Sequence, residues 1–278
     1  MIRRFSVSNF RCLEHAELDL TPNFNLVYGA NASGKTSLLE ALAYLGRGKS
    51  FRGASTDNLV RHGEGAFVLF GETEWAGRRQ RLGVRNGREG LEVRVDGDSS
   101  AGTAALAEAL PLQVIDPDVH NLVAAGPEER RRFIDWVAFH VEPGHLLAWR
   151  RFRRALKQRN AALRGGSEPA AIRSWDAEFV ELGKALDASR QRGLEKAGDT
   201  LVAYGEKLLG ATLGFDYQQG WSADRTLEEA LAEGLERDQQ HGTSRLGPHR
   251  ADLRIRYDER QARKLVSRGQ QKLLASAM

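Results

Sequence analysis

The sequence holds a single cysteine, Cys12, in 278 residues. That excludes a disulfide framework and a cysteine-based zinc site, and it fits a reducing cytoplasm, where we expect the chain to work. Long apolar runs are missing too. Ala41 to Leu45 and Ala66 to Phe70 are the longest, at five residues each, against the ~20 that a membrane-spanning helix needs. The basic opening Met1-Ile2-Arg3-Arg4-Phe5 has no apolar stretch behind it, so no secretory signal is read there. An excess of one charge is also lacking. Forty-one Lys and Arg against 37 Asp and Glu leave +4, so only local clustering could point to nucleic acid. The seven histidines have no metal-ligand spacing, and no G-x-S-x-G nucleophile elbow occurs.

What is present is ordinary globular material. Apolar residues make up 41% and charged ones 28%, which excludes a disordered or collagen-like chain. Ile2 to Val7 and Ala16 to Leu20 alternate apolar and polar residues, as half-buried strands do. Phe24 to Tyr28 is a short, mostly apolar run that suggests a buried strand. Leu38, Leu39, Leu42 and Leu45 then take helical spacing. Three strand-like runs between 66 and 96, separated by Ala76-Gly77, Asn86-Gly87 and Asp96-Gly97, read as an antiparallel meander. Pro111 to Ile115 reads as one more strand. From 117 to 240 the period is mostly 3.6, beginning at Gly126-Pro127-Glu128-Glu129, a helix start. Strand alternation returns at Ala251 to Tyr257, and a helix-like run, Gln270 to Met278, follows.

One motif carries chemistry clearly. Gly29-Ala30-Asn31-Ala32-Ser33-Gly34-Lys35-Thr36 fits G-x-x-x-x-G-K-[ST], and Ser37 follows it. Glycines let the backbone wind round a phosphate with N–H groups pointing inward. Lys35 adds charge for the β- and γ-phosphates, and Thr36 offers a hydroxyl to Mg²⁺. The motif follows an expected apolar strand and opens an amphipathic helix, which is the context it requires. ATP with Mg²⁺ is the expected ligand.

Two further features depend on that one. Ser267-Arg268-Gly269-Gln270 precedes a helix. Alone it is an ordinary N-cap. Beside a P-loop, Ser267, Gly269 and Gln270 read as a signature that caps the γ-phosphate held by a partner subunit. Arg150, Arg153, Arg154 and Lys157 share one helix face at i, i+3, i+4 and i+7, flanked by Arg151, Arg159 and Arg164. No acid interrupts the seven cations, so a DNA phosphate backbone is weighed evenly against a solvated face. His249, in Gly247-Pro248-His249-Arg250-Ala251-Asp252, is read as part of a Gly-Pro turn, with an active-site role as the alternative.

These residues resemble the RecF family of bacterial recombination-repair ATPases. The likeness lies in Asn9-Phe10-Arg11, the P-loop with Leu38-Leu39-Glu40-Ala41, and Gly46 to Arg52. It continues through Asp116 to Trp136, and then through Leu246 to Asp252 with Ser267 to Leu274. The resemblance implies an α/β ABC-type P-loop ATPase head, a mixed sheet with an antiparallel meander, and a helical insertion lobe. On that reading residues 1–116 carry the head with the P-loop. Residues 117–242 form the helical lobe, and 243–278 return to the head with the signature. It also implies an ATP-dependent homodimer on gapped, single- and double-stranded DNA, working with RecR and RecO to load RecA.

Two departures from the family are visible. Ala32 stands where similar loops often carry Gly, which is tolerated at negative φ and strained otherwise. The sequence stops a few residues into the signature helix, before the acidic Walker B pair that positions Mg²⁺ and water in the family. A C-terminal truncation that binds but hydrolyses poorly is therefore expected. A transport ATPase subunit, a small-molecule P-loop kinase and a non-enzymatic DNA clamp are the competing readings.

Overall fold

The computed structural model describes residues 1–75, 77–99, 102–258 and 260–278, without the side chains of 75, 264 and 265. The chain divides into two compact units, Met1–Val114 and Ile115–Met278.

In the first unit, β1 (Ile2–Phe10) and β2 (Leu13–Asp19) form a hairpin, and α1 (Lys35–Arg47) follows the P-loop. Next come β3 (Ala66–Trp75), β4 (Arg78–Gly87), β5 (Gly90–Val95) and α2 (Thr103–Ala109). The five strands make one antiparallel sheet in the order β2-β1-β3-β4-β5. Strand alternation sends Phe5, Val7, Phe67, Leu69, Leu82, Val84 and Val93 to one face. There they bury Ala41, Tyr44 and Leu45 of α1. Phe10, Tyr44 and Phe67 meet edge to face at 4.9–6.3 Å, a geometry that aromatic quadrupoles favour. The Tyr44 hydroxyl, buried at this contact, accepts a 2.7 Å bond from Asn86.

Two expected strands are absent from this unit. Phe24 to Tyr28 forms no ladder among the described residues, and Phe24, Leu26 and Tyr28 lie 77%, 70% and 84% exposed. Pro111 to Ile115 is likewise irregular. The physical reason is common to both. An extended segment is a strand only when a neighbour takes its N–H and C=O groups, and apolar content supplies none. The β4–β5 turn also falls two residues later than Asn86-Gly87, which lie inside β4. Asp96-Gly97 does turn, with φ of 52° and 89°. Ala76 lies outside the described residues.

The second unit is mostly helical: α3 (Asn121–Ala124), α4 (Pro127–Val141), α5 (His145–Arg164), α6 (Pro169–Arg173), α7 (Asp176–Leu209) and α8 (Leu227–His241). β6 (Leu213–Gln218) lies between α7 and α8. β7 (Asp252–Tyr257), β8 (Arg260–Gln261), α9 (Ala262–Leu265) and α10 (Arg268–Ala277) close it. β6, β7 and β8 pair antiparallel in that order. The apolar spacings at Trp175–Leu186 and Leu194–Leu208 run on as one helix, α7, of 34 residues and about 51 Å. α4, α5, α8 and α10 all pack on it. Glycine inside a helix costs about 1 kcal/mol relative to alanine, yet close approach requires it here. A Cβ on Gly193 would lie 2.8 Å from the Ala138 backbone, and one on Gly205 1.9 Å from Leu213. Among the described residues no helix is long and apolar enough to cross a membrane.

Candidate functional site

The P-loop lies between the exposed segment ending at Tyr28 and α1. Its backbone takes positive φ at Gly29 (148°), Ala32 (62°) and Gly34 (92°). Ala32 is therefore in the strained alternative: a left-handed alanine brings Cβ against its own carbonyl, at roughly 1–2 kcal/mol. Gly34 is the N-cap of α1 and has no side chain to close the helix end. The first intrahelical bond is Leu38 N–H to Gly34 O, 2.9 Å, so the N–H groups of Lys35, Thr36 and Ser37 precede the ladder. The Lys35 ammonium folds back on the loop, donating to the carbonyls of Gly29 (2.9 Å) and Ala30 (2.6 Å).

Around this loop is an open pocket of about 280 Å³, lined by Cys12 and by Asn31, Ala32, Ser33, Gly34, Lys35, Thr36 and Ser37. Donors, one cation and hydroxyls dominate the lining, and no carboxylate lines it among the described residues. The arrangement suits a polyanion. Thr36 is exposed, so its hydroxyl could hold a hard cation such as Mg²⁺, which takes oxygen ligands. Gly29 and Ala30 are also exposed, at the loop's entry. Spacing alone did not reveal Cys12. It reaches the pocket from the β1–β2 turn, its Sγ 3.4 Å from the Ser37 hydroxyl.

In the second unit Ser267 caps α10. Its hydroxyl accepts from Gln270 N–H (3.3 Å), and the Gln270 side chain accepts from Ser267 N–H (2.9 Å), a reciprocal capping box. Ser267 and Gly269 are exposed.

On α5, Arg150, Arg153, Arg154 and Lys157 are all exposed or half-buried on the outer side, as are the flanking Arg151 and Arg164. Arg153 lies over the Trp149 ring, 4.8 Å from its centroid. Arg159 does not belong with them. It is 0% exposed and bonds Asp176 (2.8 Å), Asp238 (2.7 Å) and Ser244 (2.7 Å). It sits one turn past Ala155 on the inner face of the helix, which also carries the buried Phe152 and Leu163. A cation survives there only when paired.

His249 is also interior. Burial pushes its pKa down to about 4 despite a bond to the Ser244 carbonyl (2.8 Å), and it packs against Phe152 and Phe179. It is a neutral core histidine, which favours the turn reading.

The comparisons with known proteins decide the family. The model of the RecF/RecN/SMC N terminal domain matches residues 1–278. The DNA replication and repair protein RecF of Pseudomonas putida (strain GB-1) is 42% identical over 283 residues, covering 100% of this chain and 77% of its own. That of Cronobacter sakazakii is 39% identical over 279 residues, covering 100% and 78%. The chain belongs to the RecF family. A solved structure of the recombination mediator protein RecF with ATPrS, in the RecFOR pathway, superposes with a TM-score of 0.89 at 24% identity, over 100% of this chain and 79% of the other. The Smc head domain of Pyrococcus furiosus gives 0.53 at 14% identity, over 99% and 77%. Both likenesses speak for the fold, an ABC-type ATPase head. Membership favours DNA replication and repair over a transport subunit or a metabolite kinase.

Proposed function

We propose that this RecF-family chain binds ATP with Mg²⁺ at Gly29–Ser37 and acts in the cytoplasm in DNA replication and repair, on DNA and as an ATP-dependent dimer. The observation that carries it is the P-loop, with Lys35 and the N-terminus of α1 gathered on one open pocket. Lys35 would exchange its two carbonyl partners for β- and γ-phosphate oxygens, the loop N–H groups would take the remaining charge, and Thr36 would hold Mg²⁺. The ion, when bound, would supply charge neutralisation to the phosphates. Lys35→Ala removes the cation without touching the core. Titration with a fluorescent ATP analogue should then give a large loss of affinity at an unchanged melting temperature. Equal affinity would end the nucleotide reading.

DNA is assigned to α5. Four cations on one face, free of neighbouring acids in sequence, supply phosphate contacts without base readout. Reversing Arg150 and Arg153 to Glu should weaken DNA binding and flatten the slope of log K against log salt by ~0.9 per lost contact. An unchanged slope returns the helix to plain surface. Ser267, Gly269 and Gln270 are the proposed cap on a second copy's nucleotide. The lobe boundaries 1–116, 117–242 and 243–278, and work with RecR and RecO in loading RecA, complete the reading by analogy with the family.

A further inference from the structure

We propose that Glu40 is a positioning residue for the phosphate pocket, fastening the β1–β2 turn against the P-loop as the pocket's side wall. The role rests on the nucleotide reading above. Glu40 sits on α1 at 0% exposure, yet two other segments converge on it. Arg11, in the turn, donates to both of its oxygens (Nε 2.5 Å, Nη2 2.9 Å). The Ser50 hydroxyl donates to Oε1, and Arg52 comes within 3.8 Å. Burial pushes the carboxyl up, but the bonds from Arg11 and Ser50 and the nearby cations outweigh it and hold Glu40 below the usual carboxylate range. A buried carboxylate of this kind is costly to leave unpaired and rigid when paired in a two-point fork.

The turn it holds does not rest in a relaxed backbone. Arg11 takes φ 51°, and Asn9, near the end of β1, takes φ 57°. A left-handed arginine persists only where its surroundings over-determine it, and here Glu40 does so together with the bond from Arg11 N–H to the Leu59 carbonyl (2.7 Å). Cys12, the next residue, is the wall, and Leu13 backs it. Cys12 lines the pocket and touches Ser37. Leu13 approaches Gly34 so closely that a Cβ there would lie 2.9 Å from its Cδ2. One helix therefore carries the phosphate-facing end at Lys35 and, further along, the anchor that presses the wall onto that end. Releasing Arg11 frees Cys12 and Leu13 to drift and the loop to widen.

The test uses the full chain and its single thiol, which is exposed. Alkylation of Cys12 by N-ethylmaleimide is followed while ATP or inorganic tripolyphosphate is added, and the half-protecting concentration is read. In Glu40→Gln it should rise about tenfold for both anions, the cost of one charge-assisted bond. The equal factor is expected because the wall faces phosphate only. Arg11→Lys keeps the charge and the fold but loses the fork, and should give a smaller rise in the same direction. A role in stability alone would lower the melting temperature of Glu40→Gln without moving that concentration. Unchanged values in both Glu40→Gln and Arg11→Lys would overturn the positioning role while the nucleotide reading stands. A wild-type chain protected by neither anion would overturn both.

Discussion

Two helix N-termini in this molecule are candidates for holding phosphate, and they are built in opposite ways. α1 begins at Gly34, which offers no capping side chain, after a loop with three positive φ values. α10 begins at Ser267 in a relaxed extended conformation, φ −62° and ψ 162°, and its capping box closes two of its own donors. The first end accepts strain and leaves N–H groups for an external anion. The second is complete as it stands and has the Ser267 O–H and the N–H groups of Arg268 and Gly269 left to offer. A site made by one chain must be preformed and open. A site completed by a second copy can rest satisfied until that copy arrives, because association then supplies the extra contacts.

The strongest way to break this contrast is at Ser267. Ser267→Arg places a bulky cation where the partner's phosphate edge would come, and it also deletes the cap, worth about 1 kcal/mol. We expect loss of ATP-dependent dimerisation, with ATP affinity at the P-loop unchanged. Ser267→Asp sharpens the result. Aspartate caps as well as serine, so stability should hold, but its charge repels a γ-phosphate and dimerisation should still fail. Sedimentation velocity with a non-hydrolysable ATP analogue reads both. If Ser267→Asp dimerises like the wild type, α10 is a capped helix and nothing more.

How far the sequence foretold these two ends depends on how local each is. The P-loop was legible because its chemistry is written in eight consecutive residues and the helix after it is amphipathic. The Ser267 cap was legible for the same reason, as were the strands of the meander, although its β4–β5 turn falls two residues past the Asn86-Gly87 that the composition favoured. What failed needed distant partners. Phe24 to Tyr28 has strand composition but no neighbouring ladder. β6 hides in a stretch of helical period because Leu213–Gln218 becomes a strand only through β7. Arg159 was counted with a basic face, although Asp176 and Asp238, far along the chain, draw it inside. Cys12 and Glu40 carry no spacing that points to the pocket. They meet it through the register of a turn against α1, which periodicity does not encode.

The mildest test goes to the strained end itself. Alanine at φ 62° carries a Cβ that glycine lacks, at a cost of roughly 1–2 kcal/mol. Glycine gives some of that back by loosening the unfolded chain, at about 0.5–1 kcal/mol. Ala32→Gly should therefore stabilise the loop by a net of up to ~1.5 kcal/mol. The gain would appear as a small rise in melting temperature and as slower amide exchange at Gly34 and Lys35. The same substitution at a relaxed position destabilises, so the sign alone is diagnostic. Were Ala32→Gly to lower the melting temperature, Ala32 would not be held in the left-handed region, and the loop would lack the preformed strain that sets α1 apart from α10.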